Sequence, residues 1–182
     1  MHIYAQITHL SAQMLRHPDS VIIPSAGEQL EARLRDFQQW SDLSAGHSSS
    51  EQLLQSCVLN EEGEVTTAKE VTELIGESYV AAAQIYLHCR LFRKSRDHSD
   101  VQKPVERLMK CTLWPPLAGP LYTAQQPLYT VFIGGLVARS FEQRQIIDRF
   151  FQTTGSGNRS VSVIIRPRTK HVDCRFLRVR EH

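Results

Sequence analysis

Few residues of this 182-residue chain stand at spacings that do chemistry. His171, Asp173 and Cys174 are of the types used in nucleophilic catalysis, but neighbours along a chain do not make a triad in space. His88 and Cys89 fall inside a helical stretch. His88 is one step off the apolar face there, which reads as a surface or core-edge histidine rather than a general base. Gly155-Ser156-Gly157 is a lone G-x-G that follows a helix, whereas a dinucleotide-binding loop follows a strand. Neither a His pair nor a carboxylate pair is expected to face inward at i, i+3 or i, i+4 on the long helices, the arrangement by which helical bundles hold metals. Cys57, Cys89, Cys111 and Cys174 lie too far apart for the close cysteine pairs of zinc fingers or thioredoxin-like sites. The expected inventory is therefore no catalytic residue, no cofactor-binding residue and no metal ligand. Three of the cysteines sit in helical patterns and read as small buried apolar residues.

Two basic features remain. Arg144 stands four positions after Ser140, next to the most apolar run of the chain, and reads either as a solvated arginine or as an anchor to a neighbouring helix. Residues 159–182 carry seven Arg or Lys against two acids, although the whole chain has a formal net charge of only +2. In an extended segment Arg166, Arg168 and Lys170 would share one face and could touch phosphates weakly. The tail has too few aromatics for specific nucleic-acid readout.

The elements that position these residues read as helices. Ile3, Ile7, Leu10 and Met14 form one apolar stripe over residues 3–15, ended by His17-Pro18. Val21 to Pro24 reads as a connector, and Ser25 with Glu28 has capping-box spacing for a second helix with Leu30, Leu34, Phe37 and Trp40 inward. A polar loop spans Ser44 to Ser50, and a short helix over 51–59 would use Leu53, Leu54 and Val58. After an acidic turn at Glu61 to Glu64, Thr67 and Glu70 repeat the capping-box spacing. The longest helix follows, roughly 67–93, with a broad face of Val71, Leu74, Ile75, Tyr79, Ala82, Ala83, Tyr86 and Leu87.

Asp100 reads as the cap of a helix over 101–113, with Pro104 in its first turn and Val101, Val105, Leu108, Met109 and Leu113 inward. A Pro-rich loop from Trp114 to Pro120 stops it. Pro127 then opens an apolar helix to Ala138. It is too short to span a bilayer, and its Gly134-Gly135 pair points to a close neighbour. Ser140 and Gln143 make a third capping box for a helix over 140–152 with Ile146, Ile147, Phe150 and Phe151. Beyond a Gly/Ser loop, Val161, Val163 and Ile165, then Val172, Cys174 and Phe176, alternate as in a hairpin.

The expected fold is all-α: six or seven antiparallel helices over residues 1–152, with a basic tail over 153–182. A hydrophobic fraction of 41% and a charged fraction of 22% suit a water-soluble domain of this length. The N-terminus lacks a charged segment followed by a long apolar run, so no leader is expected and the compartment reads as reducing.

Two of these stretches together resemble the C-terminal regulatory region of fungal Zn2Cys6 zinc-cluster transcription factors. One is Ala81-Ala82-Ala83-Gln84-Ile85-Tyr86-Leu87 on the long helix. The other is the apolar helix with Leu128, Phe132, Ile133, Gly134, Gly135 and Ala138, followed by Arg144, Ile147, Phe150 and Phe151. The likeness spans roughly residues 65–152. It implies a helical, non-catalytic regulatory module of a nuclear transcription factor that works through protein contacts with the transcription machinery and needs no membrane. It also favours the anchor reading of Arg144. The basic tail departs from that pattern, and no six-cysteine cluster is present, so no DNA-binding residue carries over. Direct DNA binding is not expected, beyond a weak contact by the tail. The competing readings are a helical scaffold or adaptor outside transcription, and a small enzyme, which would need a pocket of convergent titratable groups.

Overall fold

Val80, Ala81, Ala82 and Ala83 are consecutive and all buried, which a helix permits only where neighbours enclose it on every side. The computed structural model describes residues 2–37, 47–121 and 127–155. Trp40, most of the polar loop before Ser50, the residues from Ser156 on, the proposed tail hairpin, and His171, Asp173 and Cys174 lie outside the described residues.

The described residues form seven helices: α1 (His2–Arg16), α2 (Ile22–Arg35), α3 (Ser50–Ser56), α4 (Ala68–Arg90), α5 (Ser99–Leu113), α6 (Leu128–Val137) and α7 (Phe141–Gly155). The fold is all-α. A single antiparallel bridge, Leu59 to Val65, closes the turn before α4. The central helix is α4, which packs against α1, α2, α3, α5 and α6. This is not a linear stack of helix pairs, in which each unit touches only its neighbours.

Three apolar clusters meet on α4. Ala81, Ala82, Ile85 and Cys89 join Val101, Val105, Leu108, Val131, Val137, Ile147 and Phe150 from α5, α6 and α7. Val80, Ala83, Leu87 and Leu91 join Ile7 of α1 and Ile23, Leu30 and Leu34 of α2. Val71 and Leu74 join Val65 and Cys111, with Leu53, Leu54 and Cys57 at the edge. The alanine run makes this possible, because small side chains let helices approach from several directions without a loss of helix propensity.

Several helix ends match the spacing of their caps. The Thr67 hydroxyl accepts from the Glu70 N–H at 3.2 Å while the Glu70 carboxylate accepts from the Thr67 N–H, a complete capping box. The Ser140–Gln143 pair does the same for α7: Gln143 N–H donates to Ser140 Oγ at 3.1 Å and Ser140 N–H donates to Gln143 Oε1 at 3.1 Å. Elsewhere packing overrides the local signal. Helix α2 starts at Ile22, and Ser25 makes no cap. The upstream start places Ile23 in register with the buried Gly27, Leu30 and Leu34, and Pro24 is tolerated within the first turn, whose N–H groups have no helical partner. Phe37 is exposed rather than inward. Helix α3 stops at Ser56 because the Val58 N–H donates instead to Glu70 Oε1, at 2.8 Å, and leaves Val58 in solvent.

The cap of α5 is His98, whose Nδ1 accepts from the Asp100 N–H at 3.2 Å; Asp100 lies inside the first turn and is held by Lys94 at 2.5 Å. Pro104 falls in the second turn of α5, not the first. Tyr79 and Leu113, expected inward, are partly exposed. In α6, Pro127 is the N-cap. A Cβ built on Gly134 would lie 2.8 Å from Leu108 Cδ2, which is the close neighbour that the glycine pair implied.

Candidate functional site

Helix α4 carries a second buried stripe that its apolar pattern does not show. Glu73 and Glu77, at i, i+4, are both buried on the side of α4 facing the start of α3. This corrects the expectation that no carboxylate pair faces inward. His47, Ser48, Ser49 and Ser50 cover this stripe, with Leu53 behind them, and Arg107 reaches it from α5. Glu73 Oε1 lies 3.3 Å from His47 Nε2, and Glu77 Oε1 lies 3.6 Å from Arg107 Nε. Neither contact is aligned as a hydrogen bond: Glu77 Oε1, His47 Nε2 and Arg107 Nε all lack a hydrogen-bond partner among the described residues. Arg107 donates instead to Gln84 Oε1 through Nη2, and Ser50 bonds the Glu77 carboxylate.

Burial pushes the Glu77 carboxyl above the usual carboxylate range, against the opposing pull of Arg107 and the Ser50 bond. Burial also pushes the Cys111 thiol up, with Glu77 adding to the effect, so Cys111 is an inert core thiol. Cys57 is raised to about 11 by burial and by Glu70 and Glu73. It is half-buried and caps the C-terminus of α3 rather than sitting within a helix. Around the two glutamates is a narrow recess of about 40 Å³, lined also by Phe37, Gly76 and Val80. Among the described residues no group of three or more His, Cys, Asp or Glu could hold a metal ion.

A second feature is a surface of tyrosines where α1, α4 and α6 meet. The Tyr4 ring packs edge-on to Tyr129 at 5.2 Å and tilted to Tyr86 at 5.8 Å, and its hydroxyl donates to the Tyr79 carbonyl at 2.9 Å. Burial raises the Tyr4 hydroxyl pKa, so Tyr4 stays neutral. Beside it Tyr79, Leu128, Tyr129 and Phe132 are 39–45% exposed. Helix α6 contains no charged residue, and an apolar helix with an open face is characteristic of an interaction surface.

His88 is buried against Phe92, with Nε2 3.6 Å from Glu31 Oε1. Its pKa is lowered by burial first and by Lys94 second, which makes it a neutral core histidine linking α4 to α2. Cys89 is buried, as expected. Arg144 is exposed and makes no ion pair among the described residues, so the solvated reading holds and the anchor reading does not. The polar residue tying α7 to α5 is Gln143, whose Nε2 donates to Gln102 Oε1 at 3.3 Å. Glu73 and Glu77 were hidden because glutamate on a helix reads as solvent-facing. The one available signal was their spacing on a helix whose remaining faces are apolar.

No helix among the described residues is long and apolar enough to cross a membrane. Residues 1–166 match the fungal specific transcription factor domain family. No curated protein and no solved structure matches the chain.

Proposed function

We propose, from the premise that the chain belongs to the fungal specific transcription factor domain family, that it is a nuclear regulatory module acting through protein contacts. Regulation of transcription is the role of the family, and the family is not an enzymatic one. The observation that supports contact with proteins is the open aromatic face of Tyr79, Leu128, Tyr129 and Phe132. Tyrosine and phenylalanine offer large contact area at low entropic cost, and an uncharged helix desolvates cheaply. The partners that fit this reading are proteins of the transcription machinery. On this reading the helical module, expected from the sequence over residues 1–152, extends through α7 to Gly155, and only a weak, salt-sensitive contact to nucleic acid is left to the basic tail that follows.

The test is to tether the chain to a heterologous DNA-binding domain upstream of a reporter in a fungal cell. Reporter output is expected to change. The double variant Tyr129→Asp, Phe132→Asp is expected to return it to the level of the DNA-binding domain alone while the purified protein keeps its helical circular dichroism and a cooperative melt. An unchanged reporter with the parent chain, or a double variant as active as the parent, would overturn the reading.

A further inference from the structure

We propose that the groove between α5 and α7 is the docking site of an amphipathic helix that carries a basic residue on each of its flanks. The groove has a volume of about 560 Å³ and is open to solvent. Its floor is apolar, with Met109 and Leu113 from α5 and Ile146 from α7. Leu113 belongs to the apolar stripe of α5 by period, yet it is 39% exposed because it stands on this groove. Gln143 Nε2 donates to Gln102 Oε1 at 3.3 Å and joins the two walls at one end. From Gln102 to Leu113 the α5 wall runs about 17 Å, or three helical turns. An apolar floor of that length suits the i, i+3, i+7 anchors of a helix laid between two others.

Charge on the walls selects the occupant. Glu106 stands on the α5 wall and Glu142 on the α7 wall; both are exposed, and neither makes an ion pair among the described residues. The two cations of the groove are already engaged: Arg139 faces Asp97 at 4.0 Å, and Lys110 lies over the Trp114 ring at 5.9 Å. The uncommitted charge is therefore negative on both walls, although the whole chain has a formal net charge of +2. A helix seated on Met109, Leu113 and Ile146 holds its flanking side chains over the two walls, where one basic residue on each flank meets one glutamate. An acidic helix would meet like charge on both sides. A small apolar ligand would cover the floor and leave both glutamates as they are. The groove shares no residue with the aromatic surface of Tyr79, Leu128, Tyr129 and Phe132, so this inference does not rest on the transcription reading.

The experiment is fluorescence-anisotropy titration of the full 182-residue chain into three labelled helical peptides. The peptides share one leucine stripe and differ only in their flanks, which are lysine, glutamine or glutamate. Saturable binding of the lysine-flanked peptide is expected, about tenfold tighter than the glutamate-flanked one, the worth of two surface ion pairs exchanged for two like-charge contacts. The glutamine-flanked peptide should fall between them, and added salt should narrow the spread. The double variant Glu106→Lys, Glu142→Lys should reverse the preference with its helical circular dichroism retained, since both residues are exposed. The three-peptide comparison on the parent chain keeps the proposal testable even where the variant does not fold. An absence of saturable binding by the lysine-flanked peptide, equal affinity for all three, or a parent-like preference in the folded double variant would each overturn it. A dimer of the parent chain in sedimentation that Leu113→Asp dissociates would give the groove to a second copy and overturn it as well.

Discussion

Gly134 and Gly135 are adjacent in sequence, yet a side chain should act in opposite directions at the two positions. A Cβ on Gly134 would come within 2.8 Å of Leu108 Cδ2 and 3.1 Å of Met109 Cε, on the face of α6 buried against α5. A Cβ on Gly135 would meet Ile147 Cγ2 at 3.5 Å, an ordinary van der Waals contact, on a face open to solvent. Replacing either glycine removes a helix penalty of about 0.8–1 kcal/mol. At Gly135 little opposes that gain, so Gly135→Ala should stabilise by about 0.5–1 kcal/mol. At Gly134, leucine must also displace the fully buried Leu108, and overpacking of this kind costs about 1–3 kcal/mol, occasionally more. The net for Gly134→Leu is a loss of up to about 2 kcal/mol after the propensity gain is subtracted. For a chain of this size each kcal/mol moves Tm by roughly 2–4 °C, so thermal melts should separate the two variants to either side of the parent. A Gly134→Leu protein that melts at or above the parent would show that α6 does not press on Leu108. A Gly135→Ala protein that melts below it would show that the outer face of α6 is not free. Either result refutes the packing of α6 between α5 and α7 described above.

Three further outcomes follow from the same kind of reasoning. Gly27→Ala should destabilise by about 1 kcal/mol net, read as a lower urea midpoint, because its Cβ would fall 2.6 Å from Leu91 Cδ2 and the overpacking outweighs the helix gain; a rise in the midpoint would contradict the α2–α4 contact. Thr67→Ala should cost about 1 kcal/mol by removing one half of the capping box at the head of the central helix, measured by thermal melt. Glu77→Gln bears on pH. Because its carboxyl is raised in the folded protein, the fold binds more protons than the unfolded chain, and stability falls as pH rises from the ordinary carboxylate value through the raised one. The glutamine variant should lose that slope and be at least as stable as the parent at neutral pH; an unchanged slope in denaturant titrations across that window would show that Glu77 is not the group responsible.

What was legible in the sequence, and what was not, divides by the range of the interaction that decides each feature. Helix existence and the Thr67 and Ser140 caps depend on residues within one or two turns, so spacing alone located them. The Gly134 contact was legible in kind, since a glycine pair in an apolar helix implies a close neighbour, but its identity as Leu108 required the fold. Ser25 fails as a cap because its local signal competes with a longer-range one, the burial of Ile23 against α1 and α4. Tyr79 illustrates the same limit. It belongs to the apolar stripe of α4 by period, but the neighbouring helices do not cover the whole width of that stripe, and its ring stays partly in solvent.

The glutamate pair is the deepest case. Nothing within a turn of Glu73 or Glu77 marks them as buried, and glutamate on an amphipathic helix normally faces water. Their burial is imposed from far along the chain, by the segment from His47 to Leu53 on one side and by Arg107 on the other. A polar group buried by distant contacts is also one whose hydrogen bonds the local sequence did not arrange, and Glu77 Oε1 is left unmet as a result. The same physical circumstance therefore hid the pair from the sequence and left Glu77 facing Arg107 in an ion pair that is not aligned as a hydrogen bond.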